Sequence, residues 1–197
     1  MATDVTADRA KLYRLSVRQY LKMIGAGVFP DDAHVELLGG VLVQQMTKYP
    51  PHDFTVGRLG RTLNRLLPPD WIVREEKAVE LGRYWRPEPD IAIIRGPDDR
   101  YRAATPGPAD IAFLVEASES SHGIDRGPKW RGYASAGIPI YWIVNLPKRQ
   151  VEVYTGPTGR GQKASYQDQA IFDVRASVPL IVMGSQVGQV AVRDILP

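Results

Sequence analysis

The sequence predicts an α/β fold, a mixed central β-sheet flanked by helices, and three observations carry that expectation. Two short, nearly all-apolar runs, Asp90 to Ile94 and Ile111 to Ala117, have the pattern of strands buried on both faces. A strand–helix–strand order from Ile111 to Asn145 implies a right-handed crossover, and hence a parallel pair. Val56, Leu59, Leu63 and Leu66 recur at three- and four-residue steps, as in a helix that covers a sheet.

The elements follow in order. Residues 1–12 read as a flexible tail and 13–197 as a single domain. Ser16 can cap a short helix running to about Ile24, which Gly25 and Gly27 stop. His34 to Leu38 and Val41 to Met46 flank Gly39-Gly40 and read as a hairpin. His52 to Leu67 is helical and ends at Pro68-Pro69. Trp71 to Val79 is expected to be a strand, followed by the two apolar strands above. Asp125 to about Ala136 reads as a helix capped by Asp125, with Pro128 in its first turn. Ile140 to Asn145, Val151 to Thr155, Ser165 to Phe172 and Gln186 to Val192 complete the strands. Gly156 to Gly161 lacks the Lys-Ser/Thr ending of a phosphate-binding loop and reads as a hairpin turn.

Composition narrows the chemistry. The 197 residues are 44% apolar and 24% charged, which suits one globular domain with a sizeable core. The absence of cysteine rules out disulfides, thiolate catalysis and Cys-based zinc sites. With three histidines, a poly-histidine metal centre is not expected. No apolar run approaches the roughly 20 residues of a membrane span, and no secretory signal is visible, so a cytoplasmic protein without a membrane partner is expected. The net charge of +3 is mildly basic and names no partner by itself.

The informative feature is acid inside apolar strands. Asp90 follows Pro87-Glu88-Pro89 and opens one strand, and Glu116 stands near the end of the next. A carboxylate there is costly unless paired, hydrogen-bonded or bound to a cation. Adjacent strands lie roughly 4.8 Å apart, so both acids can reach one ion, and strand alternation points Ser118 the same way as Glu116, Leu114 and Ala112. Two oxygen ligands plus waters suit Mg²⁺. Such an ion polarises a phosphodiester and lowers the pKa of attacking water. Lys129, on the inward face of the following helix, is the candidate fixed cation, and Tyr133 shares that face. The plainer alternative is two strand-end acids bonded to loops, with Lys129 paired to one of them.

These residues resemble the PD-(D/E)XK nuclease superfamily, in which an Asp opens one strand and an acid-x-Lys triplet follows in the next. Here Ser118 occupies the usual Lys position. With a Lys supplied from the following helix, the chain resembles the Uma-type restriction endonucleases. The likeness runs from Tyr20 to the C-terminus, through Glu36-Leu37-Leu38-Gly39-Gly40, His52, Pro87 to Ala92, Val115-Glu116-Ala117-Ser118, Asp125 to Lys129 and Gly137 to Val144. The resemblance implies a restriction-endonuclease-like core and a Mg²⁺-dependent endonuclease, with Mn²⁺ able to substitute, that hydrolyses DNA phosphodiester bonds. It assigns Asp90 and Glu116 as metal ligands, Lys129 as the relocated catalytic lysine, and Glu36 as a further ligand, for which the alternative is a hairpin residue paired with a nearby Arg. Ser118, His52 and Tyr133 are secondary candidates.

Arg58, Arg61 and Arg65 form a helix stripe that can meet nucleic-acid phosphates or simply face solvent. Trp85 and Tyr84 are expected to cover the sheet edge, and His122 to be solvent-exposed. RNA is the alternative substrate, and a homodimer would allow both strands to be cut. The competing reading is a nuclease-fold module that binds nucleic acid or a protein partner without cutting.

Overall fold

A computed structural model describes residues 12–30, 33–45, 47–119 and 121–197. The expected tail at 1–12, apart from Leu12, lies outside the described residues. So do Met46 and Ser120, which fall in an expected strand and an expected loop.

Helix α1 (Val17–Gly25) opens on a reciprocal cap: Ser16 Oγ accepts from the Gln19 N–H at 3.4 Å, and Gln19 Oε1 accepts from the Ser16 N–H at 2.9 Å. Strands β1 (Val35–Leu38) and β2 (Val41–Gln44) form the expected hairpin, with Gly39 and Gly40 both at positive φ, as its two-residue turn requires. Helix α2 (Pro50–Leu66) begins two residues before the expected His52, because Pro50 and Pro51 fill the first helical positions, where a missing N–H removes no helical bond. His52 is thereby drawn inside the first turn.

Strand β3 (Trp71–Glu75) is shorter than expected. The chain turns at Glu76, with φ 51°, and Val79 bonds instead to the Pro87 carbonyl at 3.0 Å. Strands β4 (Ile91–Arg95), β5 (Ile111–Ser118), β6 (Ile140–Asn145), β7 (Gln150–Thr158) and β8 (Ser165–Asp173) extend the sheet in the order β3-β4-β5-β6-β7-β8. The β5·β6 pair is parallel, as the crossover demands, and the other pairs are antiparallel. A separate hairpin joins β9 (Ser177–Val182), which the sequence reading lacks, to β10 (Ser185–Ala191).

The crossover corrects a second expectation. The chain is already helical at α3 (His122–Ile124), continues through a π-helical segment (Asp125–Lys129) and ends in α4 (Trp130–Ser135). Asp125 therefore does not cap the helix, and Pro128 is interior to it. Pro128 lacks an N–H and its ring crowds the preceding turn. The wider turn accommodates it, with the Trp130 N–H reaching the Asp125 carbonyl.

The sheet separates two cores. On one face α2, the β9·β10 hairpin and the C-terminus cover Ile91, Ile93, Phe113, Val115, Trp142 and Val144. On the other, α4 covers Ala92, Ile94, Leu114, Tyr141 and Ile143. Between Ile93↔Phe113 and Ile94↔Ile111 the register slips by one residue. That bulge sends Ala112 to the α2 side, not to the Leu114 side that simple alternation predicts. Trp85 does more than cover an edge: it fills the space against Gly132, where an added Cβ would stand 2.4 Å from the indole ring.

Candidate active site

The β4·β5 register, Ile91 against Val115, brings Asp90 and Glu116 to the same end of adjacent strands. Both lie on the α4 face, in step with Ala92 and Leu114. Lys129 enters from the π-helical segment and Glu36 from β1. The Lys129 ammonium stands 3.0 Å from Glu116 Oε1 and 3.2 Å from Glu36 Oε1. Tyr133, one helical turn on, donates to Glu116 Oε1 at 2.6 Å. Glu36, Asp90, Glu116, Asp125 and Lys129 are each at most 6% exposed, so their charges interact with little solvent screening.

Each acid is held by named donors. Asp90 Oδ2 accepts the Ala117 N–H at 2.7 Å, while Oδ1 meets His52 Nε2 at 3.0 Å and Lys48 Nζ at 3.3 Å. Glu36 Oε1 accepts from Gln45 Nε2 at 2.9 Å and from the Glu88 N–H at 2.8 Å; its cationic partner is Lys129, not the arginine that the alternative supposed. Asp125 Oδ2 accepts from the Ser121 hydroxyl. All described contacts of Glu36 and Glu116 fall on Oε1, and Asp125 Oδ1 is buried with no hydrogen-bond partner among the described residues. Three carboxylate oxygens along one cleft are thus without a described donor.

The electrostatics follow from this crowding. Burial works against the Lys129 charge, but Glu116, Glu36, Asp125 and Asp90 outweigh it and raise its pKa. Lys129 is therefore a fixed cation and not a base at neutral pH. Burial also pushes Glu116 well above the usual carboxylate range; Lys129 opposes this, while Asp90, Asp125 and Glu36 add to it. Asp90 goes the other way: burial would raise it, but the His52 hydrogen bond and the charges of His52, Lys129 and Lys48 hold it down. The site carries more acid than its own cations neutralise.

The remaining candidates are placed as follows. His52 is buried in the first turn of α2 and touches Asp90. Ser118 is buried, with its Oγ 3.2 Å from His122 Nδ1, so His122 is partnered where free solvent exposure was expected. Arg58, Arg61 and Arg65 are exposed on α2 and line no part of the cleft, and Arg58 Nε donates to the Asp194 carbonyl at 3.1 Å. The sequence reading missed Lys48, Gln45 and Asp125 as parts of the site. It also missed a convergence at the rim: His52, Asp53 and Glu76 bring ligand atoms within 4.8 Å of one another, whereas Glu36, Asp90 and Glu116 form no such group. Asp53 and Glu76 are exposed, and Lys48 already holds Glu76 at 2.7 Å. Their separation in sequence hides that convergence.

A hard divalent cation fits this donor set. The cleft offers carboxyl oxygens and one imidazole with no thiolate, more buried acids than cations, and about 60 Å³ of space. A water needs roughly 10–15 Å³ by that measure, so an ion with a few waters has room. Glu116 and Glu36 have free oxygens to give it, and Asp90 would join by exchanging one of its present partners.

The sheet order, the crossover helix and this buried acid–lysine cluster define a restriction-endonuclease-like α/β protein. The fold is shared with the crystal structure of a putative nuclease belonging to DUF820 from Anabaena variabilis: TM-score 0.68 at 15% identity, over 92% of this chain and 97% of that one. No curated protein matches the chain. The chain belongs to the Uma2 family, described as putative restriction endonuclease, whose model matches residues 17–185.

Proposed function

We propose that the chain is a Mg²⁺-dependent endonuclease of the cytoplasm that hydrolyses DNA phosphodiester bonds, with Mn²⁺ able to replace Mg²⁺. The supporting observation is the Lys129 ammonium between Glu116 and Glu36, beside Asp90, in a cleft with more buried acids than cations. Glu116, Glu36 and Asp90 would hold the cation, which when bound polarises the phosphoryl oxygen and lowers the pKa of the attacking water. Lys129, kept protonated by its carboxylate neighbours, presents a positive charge to the developing charge on phosphorus oxygens. Tyr133 fixes Glu116 by its hydroxyl, and His52 and Lys48 orient Asp90. Cutting both strands calls for two copies of the site, hence a homodimer on duplex DNA.

One observation favours the second reading, a nuclease-fold module that binds without cutting: both Asp90 oxygens are already engaged by protein donors. Incubation with supercoiled plasmid separates the two. Wild type in Mg²⁺ should nick it, chelation should stop the reaction, and Lys129→Ala or Glu116→Ala should slow it by about 10²-fold or more. DNA binding with no nicking in Mg²⁺ or Mn²⁺ selects the second reading.

A further inference from the structure

Asp125 has no part in the assignments above, yet its backbone and one carboxylate oxygen are held in place. Its backbone carbonyl accepts the Tyr141 hydroxyl at 3.2 Å, and its Oδ2 accepts the Ser121 hydroxyl. The next residue, Arg126, is clamped to Glu152 through Nη2 at 2.6 Å and Nε at 2.7 Å. Ser118, whose hydroxyl also acts on the charge of Asp125, is engaged by His122 at 3.2 Å. The backbone and one carboxylate oxygen are thus held, and the other oxygen is not. Oδ1 is buried with no partner in hydrogen-bonding geometry among the described residues, Ser118 being turned to His122, and Asp125 lines the same cleft as Glu36, Asp90, Glu116 and Lys129.

An orphaned buried carboxylate oxygen is expensive, because it loses water and gains nothing in return. Lys129 does not supply the bond: its ion pairs go to Glu36 and Glu116. A fold that holds the backbone and one oxygen of a buried acid and leaves its other oxygen unpaired has preorganised it for something else. We propose that Asp125 is a working acid of the cation site, its free oxygen accepting from the water shell of a divalent cation held by the neighbouring carboxylates. This rests on the cation-dependent reading above. A contact through water suits the spacing, since among the described residues no three of these acids bring ligand atoms within 4.8 Å of one another.

The proposal predicts effects of opposite sign from one substitution. Asp125→Asn removes a buried charge that Lys129 and the Ser121 hydroxyl offset only in part. It should raise the melting temperature of the protein in chelator and weaken its affinity for Mn²⁺ alone by about tenfold, the scale of outer-sphere ligand loss. Melting curves and Mn²⁺ titration by calorimetry or electron paramagnetic resonance read these two quantities without any nuclease assay. Glu116→Gln, run in parallel, should abolish Mn²⁺ binding. If wild type binds no Mn²⁺, or Glu116→Gln binds it as wild type does, the cation reading fails. If Glu116→Gln loses the ion while Asp125→Asn binds as tightly as wild type, only the role of Asp125 falls. An Asp125→Asn protein that melts earlier in chelator, or does not fold, makes the acid structural and overturns the proposal.

Discussion

Glu152 carries a carboxylate at a position with no solvent exposure, in register with Ile143 in the centre of the sheet. Its oxygens are fully used: Oε1 accepts from Asn145 Nδ2 and Gln150 Nε2, both at 3.1 Å, and Oε2 from the Tyr154 hydroxyl at 2.9 Å and from Arg126. Burial pushes its pKa up, but these donors overcome it, and the net displacement is downward. A carboxylate lowered in the folded state stabilises the protein above its unfolded pKa and loses that contribution as pH falls through the lower folded value. Glu152→Gln should therefore cost about 1–3 kcal/mol near neutral pH. In urea unfolding series the gap to wild type should narrow only below the ordinary glutamate range; a gap constant down to pH 3 would contradict the assignment. Asp90, Glu116 and Lys129 were legible in the sequence because an acid inside an apolar strand demands a partner. Glu152, Asp125 and Lys48 were not, because they lie on β7, in the π-helical segment and before α2, and only the fold brings them to partners such as Arg126, Tyr141 and Asp90.

At the scale of elements, the crossover helix shows where local rules mislead. Asp125 followed by Pro128 has the pattern of a helix start. Ser121 instead leads directly into helix, and the proline is absorbed as a π-helical turn. That wider turn matters to the site, since each residue of an ordinary α-helix rotates the face by about 100° and Lys129 is the last residue of the distorted stretch. Pro128→Ala allows the turn to regularise; relief of an interior proline, about 3 kcal/mol, then offsets the similar cost of parting Lys129 from its buried carboxylates, so thermal stability should change little. The same substitution turns Lys129 away from Glu36 and Glu116, so plasmid nicking should fall by at least about tenfold. Nicking at the wild-type rate, with circular dichroism showing an intact fold, would mean that the π-helical turn does not aim the lysine. The strands β4, β5 and β6 were foreseen nearly to the residue because full burial on both faces leaves continuous apolar runs. β9 was not, since Pro179 inside a six-residue run argues against a strand, and its alternating burial exists only once the hairpin with β10 packs on the α2 side of the sheet.

The molecule as a whole is a partition, and the partition decides which basic residues can meet a substrate. The acid–lysine cluster opens at the end of β4 and β5, on the α4 face, beneath the β1·β2 hairpin and beside the first turn of α2. Arg58, Arg61 and Arg65 stand further along α2, on its exposed side, while the buried side of that helix packs on the opposite face of the sheet. A phosphate seated at Lys129 therefore lies across the sheet from most of the stripe, and Arg58 is already bonded to the Asp194 carbonyl. The stripe is expected to behave as a solvated helix face, and the salt dependence of DNA binding tests this. Each phosphate contact adds about 0.9 to the slope of log affinity against log salt on duplex DNA. The triple substitution Arg58→Ala, Arg61→Ala and Arg65→Ala should leave that slope unchanged and affinity within about twofold in fluorescence anisotropy. A slope shallower by about 2.7, three contacts' worth, would put the duplex on α2 and require DNA to wrap from the cleft around the sheet edge.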